Sequence, residues 1–108
     1  MNNVLWMPSA LADLQSIREY IERDSVYYAD KFVDDVFSAT EKLEVFPEIG
    51  RVVPELGLPS VREIFYGTYR IVCELRNDTV QVVAVVHGKR LLPDVPHQTQ
   101  HIQGENDE

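Results

Sequence analysis

Arg70, Arg76 and His87 are the side chains of this 108-residue chain best suited to meet a partner, and all three lie in one β-rich stretch, Val61 to Arg90. Asn77-Asp78 between two alternating runs predicts a two-residue hairpin turn. That turn sets an expected register: Leu75 faces Val80, Cys73 faces Val82, Ile71 faces Ala84 and Tyr69 faces Val86. Side chains alternate across a strand, so these pairs share one apolar face that belongs against a core. The other face would carry Arg76 with Thr79, Glu74 with Gln81, Val72 with Val83 and Arg70 with Val85, with His87 beyond. An apolar centre edged by cations suits the side chains of a protein partner better than it suits phosphates. A plainer role for the arginines and His87 is to be satisfied on the sheet by salt bridges to Glu63 or Glu74.

The elements that must position this face follow from the rest of the chain. Its length is that of one domain with a real core. No apolar run approaches the ~20 residues of a membrane-spanning helix, and the N-terminus lacks the basic segment and apolar core of a secretory signal, so a cytoplasmic location is expected. The single cysteine, Cys73, excludes an internal disulfide and a cysteine-built zinc site, and reads as a small core residue. No metal site or cofactor is expected. The formal net charge is -8, unevenly spread. Through Gly50 there are ten acids against four bases; from Arg51 to Pro96 there are six bases against five acids. A protein built to grip a nucleic-acid backbone is usually basic overall, and this one is not.

Val4-Leu5-Trp6 reads as a short strand ended by Met7-Pro8, with Trp6 a packing residue. Ser9 is the expected N-cap of a helix to about Arg23, with Ala10, Leu14, Ile17 and Ile21 as its stripe, Leu11 beside them, and a Glu19–Arg23 pair on the outer face. Asp24-Ser25 caps a second helix, about Val26 to Phe46, whose stripe is Ala29, Phe32, Val33, Val36, Phe37, Thr40 and Leu43; Pro47 stops it. So short a connection predicts an antiparallel helical hairpin. Arg51 to Ser60 is a Pro/Gly-punctuated connector containing Glu55. The expected fold class is α+β in the order β-α-α-β-β-β, an N-terminal strand and a two-helix hairpin packed on a small antiparallel C-terminal sheet. Residues 1–92 would form the domain and 93–108 an extended or disordered acidic tail, with His97 and His101 incidental.

Trp6-x-Pro-x-Ala10-x-x-Asp13-Leu14 resembles the start of the RelE/ParE toxin superfamily of bacterial toxin–antitoxin systems. Phe46-Pro-x-x-Gly50-Arg51, Pro54-Glu55-Leu56, Arg62-Glu63, Tyr69-Arg70-Ile71 and His87-Gly88-x-Arg90 follow in the order that family shows, over about Val4 to Leu91. The resemblance implies the superfamily's compact α+β fold. It also implies a toxin held inactive by a cognate antitoxin, in a complex that represses its own operon.

Two activities are known in such a family: ParE-type members poison DNA gyrase, and RelE-type members cut mRNA in the ribosomal A site. RNA cleavage needs a base for the 2′-hydroxyl, a cation for the developing charge and an acid for the leaving oxygen. By the resemblance Glu55, Arg70 and His87 match a Glu-Arg-His set of that kind. Against it, Ile64 stands where a second basic residue after Arg62 would be wanted, and the long acidic hairpin looks ParE-like. The resemblance thus points to a gyrase inhibitor that works by occupancy, with ribosome-dependent cleavage as the alternative. The antitoxin would cover Ile64, Val72, Val83 and Val85, its acids meeting Arg62, Arg70 and Arg76, with His87 and Arg90 at the margin.

Overall fold

A computed structural model describes residues 2–88. Arg90 and the acidic tail lie outside the described residues. Asn3–Trp6 forms β1, Pro8–Glu22 α1 and Val26–Glu41 α2, which runs into one 3-10 turn at Lys42–Glu44. β2 (Arg51–Val52), β3 (Val61–Tyr66), β4 (Tyr69–Arg76) and β5 (Thr79–His87) follow. The five strands form one sheet in the order β1-β5-β4-β3-β2. Neighbours from β2 to β5 are antiparallel, whereas β1 runs parallel to β5, Asn3 beside Thr79 and Trp6 beside Val82. This is the expected α+β class, with a two-residue strand in what the sequence offers only as a connector.

Both helices form where their apolar stripes place them. Pro8 opens α1, where a missing N–H costs nothing. Met7, not Ser9, is its N-cap, and the Ser9 hydroxyl instead donates to the Val83 carbonyl at 2.7 Å. Ser25 does cap α2, its Oγ accepting the Tyr28 N–H at 3.1 Å. α2 ends at Glu41, short of the expected Phe46, and the Thr40 hydroxyl donates back to the Phe37 carbonyl at 2.9 Å in that last turn. The Glu19–Arg23 pair is replaced by Arg18, which bridges Glu22 at 3.0 Å and Asp30 at 2.6 Å and so ties α1 to α2. Arg23 lies over the Tyr20 ring.

The sheet has apolar layers on both sides. Ala10, Leu14, Phe32, Val36 and Leu43 from the helical layer close on Ile71, Cys73, Val80, Val82 and Val85, with Trp6 beside them, its ring tilted against Phe37 at 4.8 Å. Burial pushes the Cys73 thiol up to about 12, as expected of a core cysteine. On the other side Val53, Val61, Val72, Val83, Ala84 and Val86 form a second cluster, covered by Met7 and by Leu56 of the connector. Truncating a residue such as Ile71 to Ala in layers this closed costs about 2–5 kcal/mol.

The hairpin register is where the sequence misleads. From Arg76/Thr79 to Cys73/Val82 the pairs are as expected, and Asn77 takes the left-handed φ of 51° that the turn requires. At Val72/Cys73 the ladder slips by a β-bulge. Val72 then faces Ala84, Ile71 faces Val85, Arg70 faces Val86 and Tyr69 faces His87. An extra residue on one strand reverses every later side chain on that strand. Val85 thereby joins the helix-side core, and Ala84 and Val86 cross to the opposite side. Helix α1 secures the displaced segment: besides Ser9 at Val83 O, the Asp13 carboxylate accepts the Val85 N–H at 3.0 Å.

Two glycines are required by geometry. Gly67, with φ 58°, makes the β3–β4 loop only two residues long, so Arg62 pairs with Cys73 and lies on the face opposite Arg70. A Cβ on Gly50 would stand 2.7 Å from the Glu63 carbonyl oxygen, so only glycine lets the chain run this close to β3.

Candidate functional site

Arg70 sits at the centre of a four-residue charge network. Its Nη1 and Nη2 donate to the two oxygens of Glu55 at 2.8 and 2.9 Å, and its Nε donates to Glu63 at 2.6 Å. Arg51 donates from its own Nε to the other Glu63 oxygen at 2.6 Å. The side chains of Arg70 and Glu63 are 5% and 0% exposed; that of Glu55, at the rim, is 24% exposed. Hydrogen bonding from Glu55 first, then Glu63, holds the guanidinium more firmly charged than in water, against an opposing burial cost. Two carboxylates and two guanidiniums neutralise one another, and a fork-to-fork pair such as Arg70–Glu55 is rigid as well as strong. The network joins the connector, β2, β3 and β4.

This arrangement corrects the expected plate in several respects. Val72 and Val83 are on the side away from the helices but buried under the connector, and Val85 is in the helix-side core. Ile64 packs against the helix-side core. Arg70 is buried within its ion network. Arg62 is half-buried and donates to the carbonyls of Pro59, Glu48 and Gly50. Arg76 remains at the surface, 3.5 Å from the buried Glu74. The plainer role for the arginines, pairing with Glu63 and Glu74, is thus what Arg70 and Arg76 adopt.

Of the set Glu55, Arg70 and His87, two members meet and the third does not. The bulge turns His87 to the side of Tyr69, whose ring it meets edge-on at 5.8 Å, while Arg70 projects from the opposite face. His87 therefore belongs to an aromatic row with Tyr69, Phe32 and Tyr66. That row is anchored to α2 by the Tyr66 hydroxyl, which donates to Asp35 at 2.5 Å. This bond, then the 3.2 Å pair with Lys31, holds the Asp35 carboxyl below its ordinary value, and the same bond raises the Tyr66 phenol.

The exposed apolar surface lies elsewhere. After the 3-10 turn, Val45, Phe46, Pro47 and Ile49 line a shallow cleft with Glu48, and Phe46 is 64% exposed. The cleft adjoins β2, a two-residue edge strand whose outer side has no neighbour among the described strands. Arg51 at this edge covers the Phe65 ring at 5.1 Å. Assigning Val45 and Phe46 to the end of a helix hid this cleft. Val45 falls off the 3.6-residue stripe, but Phe46, three residues after Leu43, continues its spacing and so reads as helix.

The chain is similar to known proteins over most of its length. Toxin RelE2 of Caulobacter vibrioides is 33% identical over 92 residues, which span 84% of this chain and all of that protein. A solved structure described as the chromosomal ParDE TA system from P. aeruginosa superposes with a TM-score of 0.67 at 22% identity, covering 81% of this chain and 96% of that one, and supports the fold. Residues 4–92 match the family described as ParE toxin of type II toxin-antitoxin system, parDE. From its first strand to just past its last, the chain belongs to the ParE toxin family of type II toxin–antitoxin systems.

Proposed function

We propose that this toxin acts by occupying DNA gyrase rather than by cutting RNA, and that a cognate antitoxin silences it. The observation that carries the reading is the state of Arg70. A cation that stabilises a phosphorane must present its donors to the phosphate, and a base must have its carboxylate free to take a proton. Here Glu55 and Arg70 consume each other in a bidentate pair, Glu63 holds the remaining Nε, and His87 faces the other side of the sheet. Ribosome-dependent cleavage is the second reading, supported by the RelE name of the 33% identical relative.

The antitoxin is assigned to the cleft of Val45, Phe46, Pro47 and Ile49 and the outer edge of β2, which no described strand covers, in place of the buried valines. An extended segment laid along that edge would add a strand beside apolar side chains, the usual terms of strand addition. The target is tested by adding purified toxin to a gyrase supercoiling reaction and, in parallel, to translating ribosomes. Loss of supercoiling with intact mRNA is expected. Cleavage of mRNA that disappears in Glu55→Gln or His87→Ala, with gyrase unaffected, would overturn the reading.

A further inference from the structure

The tip of the helical hairpin carries large side chains that the core does not use. Tyr20 at the end of α1, and Val26, Tyr27 and Tyr28 at the start of α2, are all exposed, Tyr27 to 69%. Local contacts hold the tip together: Ser25 caps α2, Arg18 ties the two helices together through Asp30, and the Tyr27 and Tyr28 rings meet edge-on at 5.1 Å. Tyr27 walls a groove with Asp30, Lys31, Asp34 and Asp35. Its one cation, Lys31, is paired with Asp35. From Pro8 to Glu41 the hairpin holds eight acids against three bases.

We infer that this tyrosine-walled tip is the surface that engages the target, and that its occupant is an arginine- or lysine-bearing protein surface of the kind that ordinarily holds DNA. This rests on the gyrase reading above. The argument is one of charge and shape together. An aromatic face beside carboxylates is the environment in which a guanidinium both stacks and pairs. Proteins that grip DNA display such cations along its path, so an acidic hairpin is steered to the surface that duplex DNA would take. Tyrosine, with only two side-chain torsions, supplies contact area at little ordering cost. α2 is 16 residues long, about 24 Å at a rise of ~1.5 Å per residue; Tyr27 stands at its start and Phe46 lies beyond its end. The tip and the cleft therefore lie toward opposite ends of α2.

The test compares wild type, Asp34→Lys and Tyr27→Ala/Asp34→Lys in the gyrase supercoiling reaction, with thermal midpoints and titration against the antitoxin as measures of fold. At least a tenfold rise in the toxin needed to inhibit is expected for the double variant, and a smaller rise for Asp34→Lys, with midpoints and antitoxin affinity unchanged. Wild-type inhibition that also falls as salt is raised would agree. If wild type inhibits and both variants match it, the tip is not the docking surface, while the gyrase reading stands. Antitoxin affinity lost from folded variants would assign the tip to the antitoxin and overturn the inference. A wild type that leaves gyrase untouched overturns the inference and the gyrase reading together.

Discussion

Glu55 and Arg70 face each other as two forks, with both carboxylate oxygens on both terminal nitrogens at 2.8 and 2.9 Å. The pair binds the connector to β4, and the segment it fastens is the one that covers Val72, Val83, Ala84 and Val86. A feature that resembles catalytic equipment in the sequence therefore closes the second core in the folded chain.

Removing one partner of a buried ion network leaves the other charge uncompensated. Arg70→Ala is expected to cost about 3–5 kcal/mol by leaving Glu63 buried without its inner partner, whereas Glu55→Gln, at the rim, costs about 1 kcal/mol. Replacing both buried members together, as Arg70→Met/Glu63→Leu, should recover part of the loss. Urea denaturation of the four proteins checks this; an Arg70→Ala midpoint equal to wild type would show the network contributes nothing.

The corrected register makes a second prediction. Val83→Asp and Val85→Asp each bury a carboxylate without a partner and should cost about 3 kcal/mol or more in unfolding experiments. Phe46→Ser, on the open cleft, should leave stability within about 0.5 kcal/mol and weaken antitoxin binding roughly tenfold. Calorimetric titration distinguishes them. Unchanged antitoxin affinity in folded Phe46→Ser would remove the cleft from the interface.

Tyr66 and Asp35 tie β3 to α2 with a pH dependence whose sign is fixed. The Asp35 carboxyl is held below its ordinary 3.8, so the unfolded chain binds its proton first as pH falls. Its stabilising contribution is full above 3.8 and fades as pH drops through the lower folded value. The Tyr66 phenol is raised above its ordinary 10.0, so its contribution is full below 10.0 and fades above it. The stability difference between wild type and Tyr66→Phe should therefore be flat at neutral pH and narrow at both extremes. Thermal melts across that range measure it, and a difference independent of pH would contradict the assignment.

Much of this fold is legible in the residues themselves. The stripes of α1 and α2, the Ser25 cap, the Trp6 and Cys73 packing and the Asn77-Asp78 turn all follow from period and turn chemistry, because each signal is local. The bulge is not legible. Val82-Val83-Ala84-Val85-Val86 is apolar at every position because β5 is covered on both faces, so no alternation marks where the register slips. The change of face at Val85 and His87 traces to that one step, whereas Val83 keeps its expected face and is buried by the connector. Burial of Arg70 was hidden for a different reason: its partners lie 7 and 15 residues away, and only the path of the connector brings Glu55 to it.

The parallel seat of β1 against β5 links the first strand to the last. On the ribosome, Asn3 to Trp6 wait for Thr79 to Val82 to be synthesised, and α1 lacks its Val83 and Val85 anchors until then. A peptide cut short ahead of Thr79 would leave the opening strand without a neighbour and half the helical layer without a floor. Loops that span nearly a whole domain close slowly, so the domain cannot complete its sheet before β5 has been made.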